Sequence, residues 1–181
     1  LFGVEFFTFA DLYLRVLDRA NDPQHLIHAT ARTHVLHRVI ERLNTEGRLE
    51  LFGPIAGTPG FVSWVGRLVS DLKQELVPPE KYLDVAASRG AKDRDLALIY
   101  DAYQRFLRDR NLVDSHGAGW LALEHVQNGS ARTDDVQMLV ADGFDQFEID
   151  AAVAIAATAG IGPVDAPQAA DAEVDAGAGG G

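Results

Sequence analysis

The chain has 181 residues, 16 basic and 27 acidic, a net charge of −11, 47% apolar residues and no cysteine. That excludes disulfides, thiolate metal sites and cysteine nucleophiles, and the apolar content excludes wholesale disorder. No apolar run approaches the roughly 18 to 20 residues of a spanning helix. The only methionine is Met138, so Leu1 reads as an internal start and the chain as a piece of something longer. No basic segment precedes an apolar run at the N-terminus, so no signal peptide is expected. The charge is uneven: residues 1–132 carry all 16 bases and 17 acids, whereas residues 133–181 carry ten acids and no base. A near-neutral body lacks the broad basic footprint typical of nucleic-acid binding.

In chain order, Val4 to Phe7 has β character, and Thr8-Phe9-Ala10-Asp11 has the outline of a capping box. Phe9, Leu12, Tyr13, Val16 and Leu17 then follow helical spacing, which Asn21-Asp22-Pro23 ends. A second helix is expected from about His25 to Leu43, with Leu36, Val39, Ile40 and Leu43 on one face. Asn44 to Gly60 reads as a loop. Phe61, Trp64, Val65, Leu68, Val69, Leu72 and Leu76 mark the clearest helix, closed by Pro78-Pro79. A short helix from Pro79 to about Ala87 and a long one from about Ala91 to Arg110 follow, the latter with Leu96, Ile99, Tyr100, Tyr103, Phe106 and Leu107 on its buried stripe. Asn111 to Asp114 reads as a turn, and Ser115 as the N-cap of a helix through about Val126. Val136 to Ala141 has the pattern of a buried parallel strand ending at Asp142-Gly143. Phe147 to Ala159 reads as a final helix, and residues 161–181 as a disordered Ala/Gly/Asp tail.

Few residue groups suggest chemistry. Asp142 stands where α/β proteins place ligand-binding groups, at the carboxyl end of a strand. Asp142-Gly143 reads equally as a plain strand-to-loop turn. No G-x-x-x-x-G-K-[ST] occurs. The glycine-rich Gly53 to Gly60 stretch lacks the lysine of a phosphate loop, and its prolines remove donors. His25, His28, His34 and His37, placed on one helix, point in opposite pairs and do not converge on an ion. Asp114-Ser115-His116 contains triad residue types, but neighbours in sequence cannot converge as a triad. Trp64 and Trp120 read as packing. Arg89, Lys92, Arg94, Arg105, Arg108 and Arg110 lie within 22 residues, interleaved with Asp93, Asp95, Asp101 and Asp109. At 100° per residue Arg94, Arg105 and Arg108 fall on one face of the long helix, a modest strip for phosphates.

Together these segments resemble a known family. Thr58-Pro59-Gly60-Phe61, Leu68 through Asp71-Leu72-Lys73, and Pro79-Glu80 resemble the "s-P-G-F … l-i-x-E-L-K … p-e" stretch of AddB/RexB-type helicase–nuclease subunits. Lys92 to Tyr103 resembles that family's "K-x-x-D-l-a-x-I-Y-x-x-Y", Leu112-Val113-Asp114 its "x-x-D", and Met138 to Phe147 its "v-x-v-D-G-F-x-x-F". The resemblance runs collinearly from about Gly3 to Phe147.

It implies a piece of a UvrD-like superfamily 1 module. The fold would be predominantly α with a small β element, a helical 1B-like subdomain attached to part of a P-loop α/β core. Residues 1–20 would be the edge of that core, 21–132 the helical insertion, and 133–160 a motif-II-like strand and helix. The parent would be a cytoplasmic bacterial double-strand-break repair protein with DNA and a helicase–nuclease subunit as partners, and no membrane. Asp142 would be the motif II acid, with Gly143 in place of its glutamate, implying a degenerate ATPase motif. ATP and Mg²⁺ are implied only for the parent, with no cofactor and no catalytic residue within this segment. Arg94, Arg105 and Arg108 are the DNA-contact candidates. The alternative is a non-enzymatic helical interaction module with an acidic tail. An autonomous enzyme using Asp142 with a metal lacks further ligands placed by sequence.

Overall fold

The computed structural model describes residues 6 and 8–131. Among these the chain forms six helices and one two-stranded parallel sheet. Of the expected strand at Val4–Phe7 only Phe6 is described, and it belongs to no regular element; the strand at Val136–Ala141, the helix at Phe147–Ala159 and the tail at 161–181 lie outside the described residues. The described residues include no P-loop core to which the helical part could attach. No helix among the described residues is long and apolar enough to cross a membrane.

Helix α1 (Phe9–Arg19) begins as its capping box requires. The Thr8 hydroxyl accepts from the Asp11 N–H, and the Thr8 N–H donates to the Asp11 carboxylate, both at 3.2 Å. The helix buries Phe9, Tyr13, Val16 and Leu17 and stops as Asn21 turns left-handed, at φ +62°.

The chain then departs from expectation. His25–Leu26 is a strand, β1, rather than the start of a helix, and helix α2 (Ala29–Thr45) begins four residues later. The partner is β2 (Leu112–Val113), which takes two of the four residues of the expected turn. The His25 and Ile27 N–H groups donate to the Asn111 and Val113 carbonyls, both at 2.8 Å. The alternation of an extended chain explains why this conformation wins. Leu26 and Val113 pack into a cluster built by α1 and helix α6 (Ser115–Gln127). Ile27 and Leu112 pack against the larger cluster on the other side. A helical turn here would aim these neighbours about 100° apart and could not serve both cores.

The larger core joins α2, α3 (Pro59–Gln74) and α5 (Ala91–Arg108), through residues such as Leu36, Ile40, Val65, Val69, Ile99, Tyr100 and Tyr103. Helix α4 (Pro79–Ala87) packs beside α5. Helix α3 ends at Gln74, earlier than the apolar spacing suggests. Leu76 is exposed at φ +51°, and the Val77 N–H folds back to the Leu72 carbonyl at 2.8 Å. The Pro78-Pro79 pair makes further helix unavailable. The Tyr100 hydroxyl donates to the Val77 carbonyl and secures this reversal. In the smaller core α1 meets α6 closely, because a Cβ on Gly119 would lie 3.0 Å from the Tyr13 ring.

The segment between α2 and α3 contains a short 3₁₀ turn (Gly53–Ile55). It is anchored by one side chain. Buried Asp95 on α5 accepts from the N–H groups of Glu50, Leu51 and Phe52 at 2.9, 2.8 and 3.0 Å. Three donors that no helix or sheet satisfies thus converge on one carboxylate. Phe52 is thereby held against Phe61 and Trp64, with ring centroids 4.8 and 6.0 Å away. Asp95→Ala is expected to lower unfolding free energy by about 3 kcal/mol, since three donors lose one acceptor. Chemical denaturation measures this; a loss within experimental error would show that water replaces the carboxylate.

Candidate functional site

The two cores meet at a buried polar cluster. Lys73 lies on the apolar stripe of α3, one turn beyond Val69, and is 1% exposed; Asp114 directly follows β2 and is 3% exposed. The Lys73 ammonium donates to both Asp114 oxygens at 2.8 Å. The Tyr103 hydroxyl from α5 donates to Asp114 Oδ2 at 2.8 Å, and the Gly117 N–H donates to Oδ1 at 2.8 Å. Arg32 on α2 brings its Nε to 3.7 Å from Asp114 Oδ2. Four helices and the sheet therefore contribute to one carboxylate.

Asp114, not Ser115, is the N-cap of α6; Ser115 is the first helical residue and is exposed. Both residue types cap well. Asp114 takes the role because it must be extended and inward-facing to reach Lys73. Gly117 permits the approach: a Cβ there would stand 3.0 Å from Asp114 Oδ1 and 3.4 Å from Lys73 Nζ.

Burial acts on the partners unequally. It works to raise the Asp114 pKa, but the Lys73 charge and hydrogen bonds, the Gly117 N–H and the Tyr103 hydroxyl outweigh it and hold the carboxyl at about 2. For Lys73, burial dominates and lowers the pKa from its usual value, against the opposing pull of Asp114; the Arg32 charge adds to the lowering. The carboxylate has donors from three residues to offset desolvation, whereas the ammonium has one carboxylate and the Tyr103 ring, 5.3 Å from its centroid. Burial followed by the Asp114 charge pushes the Tyr103 hydroxyl well up, so it remains a donor. The 2.8 Å contacts to both oxygens are those of an ammonium–carboxylate pair. With Arg32 the cluster holds two cations and one anion.

A surface cleft of about 240 Å³ between α2 and α3 is lined by Arg32, Thr33, Leu36, Val62, Ser63, Gly66, Arg67 and Ser70. Arg32 Nη2 donates to the Gly66 carbonyl and the Ser70 hydroxyl at 2.6 and 2.8 Å. A second cleft of about 430 Å³ shares Arg67 and Ser70 and adds Trp64, Leu68, Asp71, Gln74 and His116.

The arginines singled out by helical angle are all exposed on α5. Arg94 forms a two-pronged pair with Glu50, at 3.0 and 2.7 Å, and holds that carboxyl below its usual range. Arg105 pairs with Asp101 one turn earlier. Arg108 is in the last turn. Asp142 lies outside the described residues. The histidines do not share a helix: His25 is in β1, His28 caps α2, and only His34 and His37 lie on α2. Among the described residues no group of metal-ligating side chains converges. Asp114, Ser115 and His116 diverge, with His116 at 3.4 Å from Gln74.

In the sequence Lys73 and Asp114 stand in separate motifs, and nothing local joins them. Their signal was a lysine on an apolar helical stripe, at four-residue steps after Phe61, Val65 and Val69.

The family model described as "ADDB, N-terminal" matches residues 1–157. The chain belongs to that family, the N-terminal region of an AddB-related DNA-repair helicase–nuclease subunit. No curated protein matches the chain. Two stretches by which the sequence resembles the family, the one ending in Lys73 and the one ending in Asp114, are two sides of a single buried contact.

The pH dependence follows from the Asp114 shift. The folded-state pKa lies below the ordinary 3.8, so its contribution is fully present above about pH 4 and lost as pH falls toward 2. That contribution is about 2 kcal/mol. Stability curves of the wild type and Asp114→Asn are expected to converge by about this amount between pH 5 and 2; parallel curves would show that Asp114 is not held ionised by its partners.

Proposed function

We propose that this chain is a non-catalytic helical module of an AddB-type subunit, contributing a contact along the path of the DNA. The observation that carries this reading is the exposed face of α5. Arg94, Arg105 and Arg108 occupy one side of an 18-residue helix whose opposite side is packed into the core. The core fixes their spacing, while exposed ion pairs to Glu50 and Asp101 hold the first two extended. Such pairs contribute little to stability and exchange readily for phosphate. Backbone contacts of this kind position a duplex without reading its sequence.

The parent would act in the cytoplasm beside a helicase–nuclease partner subunit. ATP and Mg²⁺ belong to this reading only through the parent. Asp142 would be the motif II acid, but Gly143 replaces the neighbouring glutamate and the chain has no phosphate-loop sequence. Without a phosphate loop, Asp142 alone would not hold a nucleotide.

The pairing of Arg94 and Arg105 with acids of the same surface supports the second reading, a face that docks on the partner subunit. In that case mixed charge, rather than positive potential, would be recognised.

In the full subunit complex, replacing Arg94, Arg105 and Arg108 together with alanine is expected to weaken duplex binding equally across sequences. The slope of log affinity against log salt should fall by about 0.9 per lost phosphate contact. An unchanged slope with weakened subunit assembly would replace the DNA reading with the docking one.

A further inference from the structure

Arg94 and Asp95 are neighbours on α5 and hold the same loop from two sides. Asp95 points inward, is 1% exposed and fixes the loop backbone through the N–H groups of Glu50, Leu51 and Phe52. Arg94 points outward and takes the Glu50 side chain in a two-pronged contact, at 3.0 Å through Nε and 2.7 Å through Nη2. The loop is seated independently of that contact. Phe52 packs against Phe61 and Trp64. Gly53 lies so close to α2 that a Cβ there would stand 2.9 Å from Asn44 Oδ1. Glu50 is thus delivered to Arg94 by a frame that does not need the pair.

The Arg94 and Glu50 side chains are 42% and 54% exposed. A pair this open adds little to stability. Its effect falls instead on the guanidinium. The Nε–Nη2 edge is the fork with which an arginine takes two oxygens of one oxyanion, and Glu50 already fills it. An incoming anion has to displace a carboxylate whose backbone cannot retreat, because Asp95 holds the Glu50 N–H at 2.9 Å. The displaced carboxylate stays within reach and at high local concentration. Arg105 differs. Its acid, Asp101, is on the same helix, a contact that four-residue spacing offers to any exposed helix. Glu50 comes from 44 residues away.

We propose that Glu50 is a built-in competitor for Arg94, an autoinhibitory contact that an anionic ligand must displace before α5 can hold it. The nature of that ligand rests on the α5 reading above; the competitor itself rests on Glu50, Asp95 and the loop. The contact also discriminates. A ligand offering a single oxygen does not replace both prongs, whereas a phosphate offering two oxygens does.

The test measures duplex affinity in the full subunit complex for Glu50→Gln, Arg94→Ala and the double variant. Glu50→Gln keeps the size of the side chain and removes its charge. Affinity is expected to rise about two- to fivefold in Glu50→Gln, the range of an exposed ion pair, with the midpoint of chemical denaturation unchanged. The gain should vanish in the Arg94→Ala background, where the competitor has nothing to occupy. Unchanged affinity in Glu50→Gln, with Arg94→Ala weakened, would overturn the inference and keep the α5 reading. An equal gain with and without Arg94 would also overturn it, since Glu50 would then act only as a general negative charge. Weakened subunit assembly in Glu50→Gln would overturn it in favour of the docking reading. If neither single variant changes binding, the α5 reading and the inference fall together.

Discussion

A lysine and an aspartate without water must find each other, and that necessity organises this structure. Lys73 and Asp114 are 41 residues apart. An isolated charge at either position would cost several kcal/mol, and two that meet offset much of it only if the remaining lone pairs are also satisfied. Tyr103 and the Gly117 N–H satisfy them. The requirement fixes α3, α5 and the start of α6 in one arrangement. It also explains why β2 must be extended, since Asp114 has to leave the strand pointing inward. The β1–β2 pair then lies between the two cores, and its alternating residues fill both.

Such a pair is weak evidence for stability but a strong constraint on geometry. A slip of α6 by one residue would leave a buried ammonium and a buried carboxylate alone, whereas a slip in a purely apolar contact would cost less. The same constraint fixes the surfaces around it. Arg32 is held at the floor of the α2–α3 cleft partly by the carboxylate that holds Lys73. The α5 arginines project from a helix whose Tyr103 is tied to that carboxylate, and whose Asp95 anchors the loop that carries Glu50.

Much of the helical layout was legible because its signals are local. The stripe Phe61, Val65, Val69 and the flanking prolines give α3, and Thr8 with Asp11 gives the start of α1. The common face of Arg94, Arg105 and Arg108 followed from helical angle. What escaped depends on distant partners. The two-residue strands are too short for a period to register, and His25 is paired with Leu112. Ser115 and Asp114 are equally good caps until Lys73 chooses between them. Glu50 gives no local hint that Arg94, 44 residues away, will claim it. The Arg32–Arg67 cleft combines two helices separated by a loop, and neither helix alone shows it.

The most direct measurement is native-state hydrogen exchange of the α6 amides in the wild type and in Lys73→Met. The variant keeps the bulk of the side chain and removes only the charge. If the buried pair locks α6 to the larger core, α6 and its neighbour α1 should open at a free energy lower by about 3 kcal/mol or more, with the amides in the middle of α2 far less affected. Unchanged protection in α6, or an equal loss in all helices, would contradict the account, because the two cores would then be joined by apolar packing alone.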